Sequence, residues 1–328
     1  MQKLFEKNTP AQVAIIIATL VVLWAGPLAH PAPMAAPDGY APLYQLLYNL
    51  HPSPLVSTLA ALLLVVAGGF LLNLMLSTTG MTPQNSLIPT LLYIAFMSAF
   101  CHTLNPLLIV SLFTIACLRL LVPRASAFTL PQDRICSVAA LTAVSSMFYL
   151  PSLALLAVYL VAAINYRLYS WREWAALLLG LLAPYLLLWT SLYLSGGLRT
   201  GFSLAATRLG SLEAAMGNPT PLQTAANVLL AAVLVASLVA LWSRQGESTV
   251  GWKKISATLT APVLAGLFML PYTQLFPVDT QLFAAPFAFC GTHMLLAPTR
   301  KPYGRKRDWR PWARTATLLF TLIAAALC

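Results

Sequence analysis

Charge is the scarcest commodity in this chain. Only 8% of its 328 residues are Asp, Glu, Lys or Arg, while 59% are apolar. A soluble domain carries about 25% charged residues, so water is excluded as the main solvent and a membrane is implied. Acids are fewer still, eight against nineteen Lys and Arg, which leaves a net charge of +11. No basic face with interleaved aromatics stands clear of apolar sequence, which excludes nucleic acid as a partner. The excess charge instead suits orientation in a bilayer and contact with anionic headgroups at the cytoplasmic face. Histidine is limited to four residues and cysteine to five. The cysteines are scattered singly, with no C-x-x-C and no Cys/His spacing suited to zinc. Neither a metal nor a cofactor is expected, and the cysteines read as small packing residues.

What the sequence has in abundance is apolar runs. They fall at about 11–28, 55–76, 87–101, 106–122, 135–150, 152–166, 174–194, 222–242, 255–272, 281–297 and 313–328. The expected fold is all-α: one polytopic transmembrane helical bundle over residues 1–328, with about 11 spans (range about 9–12). Lys3 and Lys7 precede the first run. The prolines that follow it, Pro31 and Pro33, argue against a cleaved leader and for a retained first span.

Several runs are shorter than the roughly 20 residues that cross a bilayer comfortably. Charge decides how to read them. As one helix, 135–166 would run about 48 Å at about 1.5 Å per residue, too long for a core of about 30 Å. A single span would also move Arg244, Lys253, Lys254 and the cluster 300–314 to the outside. A hairpin turning near Pro151 keeps them inside, as the positive-inside rule requires. The same logic makes 87–122 a hairpin turning at His102–Pro106.

With these hairpins the N-terminus is cytoplasmic, and seventeen of the nineteen basic residues lie inside. The basic cytoplasmic loop, about 298–312, holds most of the last cluster. The two exceptions, Arg199 and Arg208, share the external loop at about 195–221 with Glu213. Prolines 89, 184, 262 and 286 fall within spans and are expected to kink them.

The other large external loop, about 29–54, carries Asp38 in a proline-rich stretch. Tyr40, Tyr44 and Tyr48 follow, spaced by four, so they share one face of a helix. Such a helix is expected to lie at the membrane interface, anchored by its tyrosines. His30, His51 and His102 are external or nearly so. His293 is expected to be packed and hydrogen-bonded. On the inner side, Trp171 and Trp174 read as interfacial anchors, and Ser170-x-x-Glu173 has the spacing of a capping box.

The segment Ser170-Trp-Arg-Glu-Trp174, followed by Gly180 and Pro184-Tyr185, resembles an uncharacterised family of bacterial polytopic integral membrane proteins. Phe148-Tyr-Leu-Pro151 and Pro42-Leu-Tyr44 fit the same likeness. The resemblance covers most of the chain and implies the bacterial cytoplasmic (inner) membrane, but no activity. A second, architectural resemblance is to membrane glycosyltransferases of the C class, which use polyprenyl-phosphate sugar donors. It implies a catalytic role for Asp38 in the first external loop. It also implies lipid-phosphate binding by Arg199 and Arg208, whose guanidinium forks suit phosphate. The sequence departs from that pattern in having Gly39 where many such enzymes carry a second acid. It also lacks their large external domain.

Three function classes therefore stand open. One is an envelope-biogenesis protein, glycosyltransferase-like, acting on a lipid-linked sugar. The others are a non-catalytic membrane subunit of a larger complex, and a transporter or flippase. The topology has its own test. Reporter fusions at Gly39, Gly210 and Gly304 should read outside, outside and inside; an inside signal from Gly210 would undo the hairpin assignment.

Overall fold

A computed structural model describes residues 10–36, 41–82, 86–122, 132–168, 170–194, 250–269, 281 and 283–296, with scattered positions in 232–242. Among the described residues there are helices and no strand. In chain order they are α1 (Pro10–Ala29), α2 (Pro42–Asn49), α3 (Pro54–Thr78), α4 (Ile88–Phe100), α5 (Pro106–Leu121) and α6 (Gln132–Phe148). A 3-10 segment, Leu150–Leu155, leads into α7 (Leu156–Tyr166). Then come α8 (Trp171–Leu194), α9 (Val250–Met269) and α10 (Ala284–Leu296). The described positions of 232–242 are helical too, while the expected last span and the loops at 195–221 and 298–312 lie outside the described residues.

Among the described residues, three helices are long and apolar enough to cross a membrane: α1 from Gln12, α3 and α8. The apolar stretches Ile88–Ala99, Pro106–Leu121 and Ser152–Tyr166 are shorter. The shortest one sits deepest. Every residue of α4 from Ile88 to Ala99 is buried, and so is α10 from Ala284 to Thr292. At about 1.5 Å per residue, thirteen residues rise about 20 Å, well short of a hydrocarbon core of about 30 Å. Such a helix needs protein around it, and α1, α3 and α10 all pack against it.

Small residues let them come close. A Cβ at Gly68 would sit 2.7 Å from the Tyr93 hydroxyl, and one at Gly69 would sit 3.2 Å from Thr90 Cγ2. Thr90 Oγ1 donates across this contact to the Gly69 carbonyl at 3.2 Å. Close backbone approach with interhelical hydrogen bonds is how helices associate without a solvophobic drive. The same Tyr93 hydroxyl donates to Ser111 Oγ of α5 at 3.0 Å, and Ser111 in turn donates to the Leu108 carbonyl at 2.7 Å.

Both expected helix breaks occur. The α4–α5 turn spans 101–105, where Asn105 Oδ1 caps α5 by accepting from Leu107 N at 2.9 Å. At Tyr149 the backbone is extended (φ −153°, ψ 107°). Ser145 Oγ then donates to Ser152 Oγ at 2.7 Å. Seven residues apart in a continuous helix, the two would be about 10 Å apart along the axis, so the chain has folded back. It resumes as a 3-10 turn rather than directly as the α-helix expected from 152.

Two proline expectations are corrected. Pro89 lies in the first turn of α4 and Pro286 in that of α10. There no N–H has an intrahelical partner to lose, so neither position kinks its helix. Pro184 and Pro262 are interior to α8 and α9, and so is Pro27 to α1. Cys101, Cys117 and Cys290 are buried, Cys136 is half-buried, and all four are free thiols.

The residues that carry the family resemblance hold α6 to α8. Glu173 Oε2 accepts from Ser170 N at 2.9 Å, the return half of a capping box. Gly180 faces Cys136 and Ala139 so closely that a Cβ there would fall 2.9 Å from Ala139 Cβ and closer still to the Cys136 carbonyl. Ser146 donates to the Ala143 carbonyl, so Tyr185 O–H donates to Ser146 Oγ, at 2.6 Å. Gly180→Val should therefore force α6 and α8 apart, at a cost of about 1–3 kcal/mol from overpacking. The thermal midpoint in detergent should fall by several degrees. Gly251→Ala, where a Cβ meets nothing within 4 Å, should leave it unchanged or slightly higher; equal losses would refute this account of the packing.

Candidate functional site

The described charges are all at one end of the bundle. Arg119 ends α5, Asp133 and Arg134 begin α6, Arg167 follows α7, and Arg172 and Glu173 begin α8. Lys253 and Lys254 begin α9, and Lys254 Nζ lies 5.9 Å above the Tyr166 ring at the end of α7. Chain connectivity puts these termini opposite the 101–105 turn and the break at Tyr149. Among the described residues, that far end carries histidines but no Asp, Glu, Lys or Arg.

Tyr44 organises the far end. The interfacial anchoring expected of it is overturned, because its side chain is fully buried. Its hydroxyl reaches the Ala35 carbonyl at 2.7 Å and the Leu104 carbonyl at 3.1 Å. Sequence spacing placed Tyr44 on one face of α2 but could not say what covers that face. The cover is Met34 and Ala41 with Leu47, Leu104, Ile109 and Phe148. Tyr48 is half-buried and its ring lies 6.3 Å from that of His51.

This arrangement bears on Asp38. Asp38 itself lies outside the described residues, as do Arg199, Arg208, Glu213 and Asp279. Its flanks are described. Met34 and Ala41 are buried, and the Ala35 carbonyl is held by Tyr44. Met34, Ala35 and Ala41 thus lie at the part of the bundle where α4 turns into α5.

Neutral polar groups line that turn. Trp24 of α1 donates Nε1–H to Ser98 Oγ at 2.9 Å, and its ring meets His102 edge-on at 5.5 Å. Ser57 of α3 accepts from Leu104 N at 3.0 Å. Nearby, His51 adopts a left-handed backbone (φ 45°), and its Nδ1 lies 2.7 Å from the Asn49 carbonyl. His102 is half-buried. Desolvation disfavours its charged form and lowers its pKa below the ordinary 6.5. It is therefore a neutral imidazole at pH 7, able to accept and to donate. The sequence offered only one hint of this group, a histidine inside the predicted turn.

The other histidine signal resolves differently. His293 packs edge-on between Trp252, at 5.3 Å, and Phe289, at 4.8 Å. Among the described residues, no three His, Cys, Asp or Glu side chains group as a metal site would require.

The pKa shift of His102 sets a pH dependence. Between its lowered folded value and 6.5, the unfolded chain binds more protons than the folded one, so stability rises with pH there. His102 stabilises the native turn fully above its unfolded value, and this contribution is lost as pH falls through the folded value. Thermal unfolding in detergent between pH 7.5 and pH 4.5 should show this loss, and His102→Gln should flatten that part of the profile. An unaltered profile would mean that other groups carry it. No protein-family model, curated protein or solved structure matches this chain.

Proposed function

We propose that this is a multi-pass protein of the bacterial cytoplasmic membrane, with a cytoplasmic N-terminus and about 11 spans. Its external face handles a lipid-linked sugar in cell-envelope biogenesis, in the manner of a glycosyltransferase. The charged end is the cytoplasmic one on this reading, next to anionic headgroups. The neutral end is external. The observation that carries the reading is that Tyr44 holds the Ala35 carbonyl, three residues before Asp38, at the polar turn around His102. Packed flanking residues favour a catalytic use of the acid between them, because a catalytic group must be held close to its productive geometry.

On this reading Asp38 takes a proton from the acceptor hydroxyl as that oxygen attacks the sugar carbon. The polyprenyl phosphate leaves with the bonding electrons, and Arg199 and Arg208 hold it. Ion-coupled transport is less well supported. It usually relies on acids or histidines deep in the membrane, and the described Asp, Glu, Lys and Arg residues sit at helix ends.

The test uses the full chain in lipid nanodiscs with an undecaprenyl-phosphate-linked, radiolabelled hexose. The wild type should bind the lipid and release or transfer the sugar. Asp38→Asn should cut turnover by about 100-fold or more while keeping the binding. Arg199→Ala and Arg208→Ala should weaken binding. Unchanged turnover in Asp38→Asn, or a wild type that fails to bind the lipid, would overturn the proposal.

A further inference from the structure

Gln281 stands just before α10 and is fully buried. Neither Oε1 nor Nε2 of its amide has a hydrogen-bond partner among the described residues. Asn73 and Thr82 each leave a single buried side-chain atom unpartnered, whereas Gln281 leaves both ends of its amide. A buried polar group without a partner loses its hydration with nothing in exchange. A leucine or methionine would fill the same volume without that cost, so an amide at this position needs a reason.

Its place in the bundle supplies one. Helices α4 and α10 run antiparallel. The Phe96 and Phe287 rings lie 4.7 Å apart, and Leu92 Cδ1 would meet a Cβ on Gly291 at 2.9 Å. Gln281 comes six residues before Phe287, and His102 comes six after Phe96. The register therefore brings Gln281 level with the α4–α5 turn, at the same end as His102, the Trp24–Ser98 pair and the pinned flanks of Asp38. An amide offers one donor and one acceptor direction side by side. Two neighbouring sugar hydroxyls present the matching pair, one accepting and one donating. The described residues at this end are neutral, which suits an uncharged group better than an anion.

We infer that Gln281 is a recognition residue for the sugar of the lipid-linked substrate, its Nε2 and Oε1 engaging adjacent hydroxyls at the neutral end of the bundle. This rests on the proposed function for the identity of the substrate class. The Gln281 amide itself is an observation independent of Asp38.

The experiment measures binding in nanodiscs of two probes, undecaprenyl phosphate and an undecaprenyl-phosphate-linked hexose. The wild type should prefer the sugar-bearing probe. Gln281→Leu should keep the fold, judged by an equal or higher thermal midpoint. It should lose tenfold or more in affinity for the sugar-bearing probe and bind the bare phosphate as before. Gln281→Met serves the same purpose should leucine pack badly, and the two should agree. If the apolar variants keep the preference, or the wild type shows none, Gln281 is not a sugar contact, although the broader reading survives wherever the sugar lipid still binds. If the wild type binds neither probe, both proposals fall.

Discussion

A short helix buried at every residue from Ile88 to Ala99 can exist only if its neighbours enclose it, and this bundle is arranged to enclose α4. The demand propagates outward. Gly68 and Gly69 are needed so that α3 can approach within reach of Tyr93 and Thr90. Gly291 is needed so that α10 can close the other side against Leu92. Ser111 is needed because the Tyr93 hydroxyl, once sealed off, must find an acceptor inside the protein. The long helices α1, α3 and α8 then form much of the outer surface. Their exposed leucines and valines, such as Val22, Leu63 and Leu187, suit contact with acyl chains and need no protein partner.

The same enclosure explains why the two ends of the molecule differ. Charged side chains collect where α5, α7 and α9 meet solvent, and they need only topology and lipid headgroups to account for them. The opposite end is built from groups that can be sealed. Tyr44, Trp24 and Ser57 each form a hydrogen bond to α4, to the α4–α5 turn, or to both. None brings a charge that would have to be desolvated. Burial also keeps His102 neutral, so the described groups at this end stay polar but uncharged at physiological pH.

Much of this was legible in the sequence. Apolar runs and charge asymmetry gave the helices, the turn at 102–106 and the break near Pro151, because hydropathy and the positive-inside rule act on local sequence. The capping role of Glu173 was legible for the same reason. What escaped was decided by partners distant in the chain. Tyr44 has the spacing of an interfacial anchor, yet Leu104, sixty residues on, makes it a core residue. Pro89 and Pro286 looked like kinks because the helix starts could not be placed within a few residues. Gly180 and Tyr185 carried a family resemblance without a stated role, and the role emerged only when Cys136 and Ser146 were found opposite them. Gln281 sits at the head of an apolar run and gave no signal at all, since only burial turns an ordinary polar residue into an unpaired one.

These distinctions bear on how the proposed chemistry must be divided. A lipid-linked sugar has two parts with opposite needs. Its phosphate is anionic and needs cations, while its sugar is neutral and needs paired donors and acceptors. The described residues at the neutral end can serve only the second part, because His102 is uncharged there and no Lys or Arg among them is near. On the proposed reading the phosphate must then be met from the loop at 195–221, where Arg199 and Arg208 are the two basic residues that the expected topology leaves outside. A catalytic reading thus requires that loop to come to the His102 end. A non-catalytic subunit makes no such demand, and for it the unpartnered amide of Gln281 would be a cost without a return. The position of that one amide is therefore what weighs most in favour of a protein that binds something.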